Sequence, residues 1–225
     1  MAITLQNYLV TLELLQPMLG TAPLNAKVFK EHVVHPDVPA EVVEEELETL
    51  EEVSSPNWTG FHKDDKGKPF IYNYMIKGFL KGACSALRRS PETESKKLHA
   101  FRKVIDQHVF VVPRRIMLRL PKGQDIFRAK SDMTKEEEEA LPVPERRPLR
   151  GMTPKGERIA IAYSETAPVG TELVFSLSII DGSAITEKML HEWFSYGLLM
   201  GLGQWRSGGW GTFGHEIDFV NETGR

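Results

Sequence analysis

An α+β fold with an antiparallel sheet is what this sequence predicts, and three observations carry that expectation. Residues 3–15 and 172–180 alternate apolar and polar side chains at the two-residue period of half-buried strands. Residues 73–89 and 186–200 instead repeat apolar side chains at the three-and-four spacing of helices with one buried face. Hydrophobic residues make up 41% and charged residues 26% of the 225, an ordinary composition for a folded chain, read as a single domain over 1–225.

The elements follow in order. The first strand ends at Gln16-Pro17, and Leu19-Gly20-Thr21 leaves the sheet. Residues 21–67 form an acidic insertion arm. It holds a short helix with Pro39 in its first turn, a stripe of Val43, Leu47, Leu50 and Val53, and glutamates on its other faces. Asp64-Asp65-Lys66-Gly67 reads as turn chemistry before a short extended piece and the helix over 73–89. That helix has Ile76, Phe79, Leu80, Ala83, Cys84 and Leu87 on its buried stripe, with Lys77, Lys81 and Arg88 on a flank. Gly78 and Gly82 each cost about 1 kcal/mol against alanine, so close approach of another backbone is the expected reason for them. Strands are expected at 104–112 and 115–120, and then a charged, proline-rich insertion over 121–156. It carries the acidic run 136–139 and the basic, exposed segment 144–150. Strands at 158–163 and 172–180 precede the last helix, whose inner face is Met189, Leu190, Trp193, Phe194 and Leu198, and a final strand at 216–220. Two β-α-β halves in this order make a ferredoxin-like (RRM-like) βαββαβ core with two long insertions and a C-terminal glycine-rich loop.

That loop, residues 201–214, has six glycines, Trp205, Trp210 and Arg206. Bare backbone turns amides toward a common anion, while the tryptophans and arginine suit base stacking and phosphate pairing. A mobile connector is the plainer reading. The formal net charge of −3 does not advertise nucleic-acid binding as a whole, but the acidic residues are bunched. Cys84, the one cysteine, excludes an internal disulfide and a cysteine zinc cluster and fits a reducing, cytoplasmic setting. No apolar run is long enough to cross a bilayer, and no metal or cofactor is expected.

Four stretches together carry a resemblance. Leu15-Gln16-Pro17-Met18-Leu19-Gly20 is similar to a first strand ending "TPLHIG". The segment from Gly67-Lys68-Pro69-Phe70-Ile71-Tyr72 to Lys77-Gly78-Phe79-Leu80-Lys81 resembles "G-x-P-Y-I-P-G-S-S-L-K-G-x-L-R". Glu165 to Phe175 resembles the turn "E-x-V-P-P-G-x-x-F", and Gly201 to Gly211 the loop "L-G-G-x-R-S-R-G-x-G". In that order they resemble the RAMP superfamily of CRISPR-associated RNA-binding proteins, most of all the type III effector backbone subunit. Tyr72-Asn73-Tyr74-Met75 stands where the family has Pro-Gly-Ser-Ser, and Gly208 replaces the second loop arginine.

The resemblance implies single-stranded guide RNA held along a sheet face and the glycine loop, with self-association into a filament or larger ribonucleoprotein. It assigns RNA contacts to Lys77, Lys81, Arg88, Gly201, Gly203, Gln204, Trp205, Arg206, Ser207, Gly208, Gly209 and Gly211. Two alternatives stand beside it. One is a metal-independent endoribonuclease using His35 or Asp37, since a histidine after the first strand can take a 2′-OH proton. The family's "I-G-x-x-D" cleavage setting is not found. The other is a repurposed relative that binds a nucleotide or a defence-complex partner.

Overall fold

The computed structural model describes residues 3–32, 39–50, 58–124, 126, 145–153 and 156–220. In chain order its elements begin with β1 (Leu5–Leu14), β2 (Met18–Leu19), β3 (Ala22–Pro23), α1 (Ala26–His32) and α2 (Ala40–Glu48). Next come β4 (Trp58–Gly60), β5 (His62–Lys63), β6 (Pro69–Tyr72), α3 (Asn73–Leu87) and α4 (Phe101–His108). The series continues with β7 (Val109–Val112), β8 (Arg115–Arg119), β9 (Glu145–Thr153) and β10 (Gly156–Ser164). Last are β11 (Thr166–Ala167), β12 (Glu172–Ile180), α5 (Glu187–Ser195) and β13 (Phe213–Val220). The fold is α+β.

β1 is the hub. It pairs antiparallel with β12 from Leu5↔Ile180 to Glu13↔Glu172, and with β13 from Asn7↔Val220 to Leu14↔Phe213. The far edge of β12 takes both β7 and β8, and β6 and β5 extend the sheet to seven antiparallel strands. A smaller sheet runs β3-β4-β10-β9, in which β4 and β10 are parallel.

Alternation sets the core. Tyr8, Val10, Leu12 and Leu14 of β1 and Leu173, Phe175, Leu177 and Ile179 of β12 are buried on one face. Onto it pack Ile76, Phe79, Leu80, Ala83 and Cys84 of α3 with Met189, Leu190, Trp193 and Phe194 of α5. Burying each large apolar side chain stabilises the fold by roughly 1.5–3 kcal/mol. Thr186 caps α5 by accepting from the Met189 amide. Ser95 ties the helix layer together: its hydroxyl accepts from Trp193 Nε1 at 2.9 Å and donates to Glu192 at 2.7 Å.

Three expectations are corrected. Residues 104–112 are not one strand, because Phe101, Val104, Ile105 and His108 repeat at helical spacing in α4 and only Val109–Val112 enters the sheet. Leu198 is 54% exposed, because α5 ends at Ser195 and the tighter turn that follows rotates it off the core. The basic segment after residue 144 is strand β9, paired with β10; Pro148 sits there because β9 is an edge strand. The acidic run 136–139 lies outside the described residues.

Candidate nucleic-acid interface

The site is built on α3. Its N-terminus is pinned where the chain turns between β7 and β8: the Asn73 amide donates to Arg114 O and its side-chain amide to Val111 O. With the apolar stripe buried, the opposite side of the helix presents Tyr74, Gly78 and Gly82, all exposed. Apart from each glycine's chain neighbours and the backbone of α3 itself, no atom of the described residues lies within 4 Å of a Cβ placed on Gly78 or Gly82. Among the described residues, then, no other backbone approaches these glycines. They floor an open groove of about 630 Å³, along whose sides lie Lys81, Arg89, Arg102 and Arg206, with Tyr196 and Met200 from the segment after α5. None of its described lining residues is acidic. Lys81 is ion-paired with Asp106 at 2.8 Å, both side chains being partly exposed.

The glycine loop makes one rim. Gly201 and Gly211 lie back to back: a Cβ on Gly201 falls 2.0 Å from the Gly211 backbone, and Gly211 takes φ +67°. The Gly203 amide neighbourhood is pressed against Leu19 O, to which Gln204 N donates. Leu202 N donates to Gly211 O, Gly208 N to Trp205 O, Gly209 N to Arg206 O and Gly211 N to Pro17 O. These amides are committed to protein carbonyls, so glycine here serves tight backbone packing at those positions rather than an open nest of donors. What the loop offers outward is the exposed tip from Trp205 to Gly209, with the Arg206 side chain facing the groove.

The other predicted residues fall as follows. Lys77 lies beside the groove, its Nζ donating to Asp106 O at 3.1 Å and standing 5.6 Å over the Phe110 ring; desolvation lowers its pKa. Arg88 stacks over Phe101 at 5.1 Å. Gln204 accepts from Arg147 Nη2, and Trp205 is bracketed by Trp210 at 6.2 Å, the Arg147 guanidinium at 5.7 Å and Gly208. Trp205 and Gln204 thus hold the loop's shape. Ser207, Gly208 and Gly209 are exposed at its tip. His35 and Asp37 lie outside the described residues. Among the described residues no cluster of metal-ligating side chains occurs.

Sequence reasoning missed Arg89 and Arg102. Arg89 was legible, since it continues the Gly78, Gly82, Ser85 spacing along one helix face. Arg102 was hidden by taking its surroundings for a connector and strand. The sheet face, where the resemblance implies RNA, is mixed in charge. That open face bears Glu13, Glu172, Glu216 and Asp218, with the exposed Arg119 of β8 opposite Glu172; β1, β7, β12 and β13 contain no lysine or arginine. Glu165, within the resembling turn, is fully buried, accepts from the Phe61 amide and pairs with Lys63, a structural role.

No protein-family profile matches the sequence, and no curated protein matches it. Among solved structures, the chain is similar to one in the cryo-EM structure of the type III-B Cmr-β complex bound to cognate target RNA. The TM-score there is 0.49 at 12% identity, covering 96% of this chain and 61% of that one, so this chain spans about three fifths of its length. It is also similar to a chain of a type IV-B CRISPR complex, with TM-score 0.41, 12% identity and coverage of 97% and 93%. No helix among the described residues is long and apolar enough to cross a membrane.

Proposed function

We propose that this protein binds single-stranded RNA as a RAMP-type subunit of a larger ribonucleoprotein, seating the sugar–phosphate backbone in the groove on α3. One observation carries the reading: among the described residues, four cations and no carboxylate line a groove whose floor is bare helix backbone. A phosphate chain needs cations for affinity and room for close approach, and neither needs base-edge contacts. The ferredoxin-like reading of the core is supported by the sheet order β13-β1-β12-β7, with α3 following β1 and α5 following β12. The four motif resemblances support the RAMP assignment, and Lys81, Gly82 and Arg206 all belong to or adjoin them. Self-association along a bound strand is part of the same proposal.

Fluorescence anisotropy with labelled oligo(U) tests it. The Lys81→Ala, Arg206→Ala double variant loses at least about tenfold in affinity, as expected for two lost phosphate contacts. Wild-type protein that fails to bind, or a double variant that binds as well as wild type, overturns the reading.

A further inference from the structure

A second cationic site, outside the lining of the groove, is closed by one of the protein's own carboxylates. β7 and β8 pair with separate parts of β12, Ser176–Ile179 and Glu172–Leu173, and the chain bulges outward between them at Pro113-Arg114. Two neighbouring guanidinia emerge there and converge on one carboxylate. Arg114 Nη1 lies 2.7 Å from Glu45 Oε2, and Arg115 Nη2 lies 2.9 Å from Oε1. Each is seated on an aromatic ring, Arg114 at 5.3 Å over Tyr72 and Arg115 at 5.3 Å over Phe70. Tyr74 stacks on Tyr72 at 5.4 Å and 12° and is itself half exposed. Paired guanidinia gripping a two-oxygen anion above aromatic support are the donor set that suits a phosphodiester. An exposed tyrosine alongside offers a face for a base.

The helix that fills this site is weakly built. α2 buries none of its nine residues, has no side-chain cap and carries glutamates at 41, 44, 45, 46 and 48. Glu41 and Glu45, and Glu44 and Glu48, are like charges one turn apart, and the acidic C-terminal turn opposes the helix dipole. Its other anchors are the Tyr74 hydroxyl, which donates to Glu46 Oε2 at 3.5 Å, and Thr49, whose carbonyl accepts from Lys63 N at 2.7 Å and whose hydroxyl meets His62 Nδ1 at 2.8 Å. The site is also in line with the groove. Tyr74, Gly78 and Gly82 share one face of α3, and at 1.5 Å per residue Tyr74 stands about 12 Å from Gly82 along the axis.

We propose that Arg114, Arg115 and Tyr74 form a second RNA-backbone site continuous with the groove, and that Glu45 occupies the phosphate position in the free protein, making α2 a competitor in cis that the strand displaces. This rests on the RNA-binding reading above.

Glu45→Gln and Glu45→Ala, both at an exposed surface, are compared with wild type by oligo(U) anisotropy at low salt, with Arg114→Ala, Arg115→Ala added in a second pair. Amide hydrogen exchange of α2 is followed with and without oligo(U). The Glu45 variants bind about fivefold more tightly, the arginine substitutions erase that gain, and RNA lowers α2 protection. Unchanged or weaker binding by the Glu45 variants, or α2 protection unaffected by RNA, overturns the inference. If that happens while the Lys81, Arg206 variant is still impaired, the groove reading stands alone. If no protein binds oligo(U), both fall.

Discussion

His62 is 5% exposed, with its ring 5.8 Å from Phe70 and 4.7 Å from Tyr72. Burial lowers its pKa from 6.5 to about 4, with Arg115 pushing the same way and a backbone hydrogen bond to Glu46 opposing. The folded state therefore favours the neutral ring. Its contribution is complete above pH 6.5 and is lost as pH falls from 6.5 toward 4, because the unfolded chain takes up the proton first. Denaturant unfolding across that range will show the wild type losing up to about 3 kcal/mol more than His62→Gln. A difference that does not vary with pH rules out this titration. At this scale the sequence singled out Arg206 and Lys81 by residue type and neighbours, and both line the groove. It offered Arg114 and Arg115 only as further basic candidates, more often plain surface charge, because their pairing depends on a carboxylate about seventy residues earlier in the chain.

Among the elements, α3 exchanges stability for access. Its two exposed glycines meet nothing, so alanine at either position adds helix propensity without a clash. Gly78→Ala, Gly82→Ala is expected to raise stability by about 1 kcal/mol per site in thermal melts while weakening oligo(U) binding, since the new methyl groups stand on the groove floor. A variant that is both more stable and equally tight would detach the glycines from binding. The long periodic elements β1, α3 and β12 were legible because their pattern extends over many residues and each faces one core. α4 was not, because its short helix runs directly into the β-branched series Val109, Val111, Val112. β9 was not either, because a proline tolerated on a sheet edge looks like a break when the neighbouring strand is unknown.

Over the whole molecule, charge is divided by face. A net charge of −3 coexists with a groove whose described charged residues are all cations, while the open sheet face carries acids, with Arg119 opposite Glu172, beside the exposed apolar residues Leu5, Leu9, Phe110 and Val112. Affinity for RNA should accordingly depend on a few local contacts. Four groove cations predict a slope of log K against log salt of about −3, and each cation removed should lower its magnitude by about 0.7. Titrations at several salt concentrations measure this; a slope near zero would show that phosphates are not what the groove holds.

The stitching of the glycine loop onto the segment after β1 also governs timing. Gly211 reaches Pro17, Gln204 reaches Leu19, and Leu15 and Gln16 both donate to Thr212, so the Arg206 rim is assembled from stretches made nearly two hundred residues apart. Such distant closures form late. A growing chain thus emerges from the ribosome with α3 and its lysines already present but no opposing wall, so the proposed RNA groove is complete only once the loop has been synthesised and folded back.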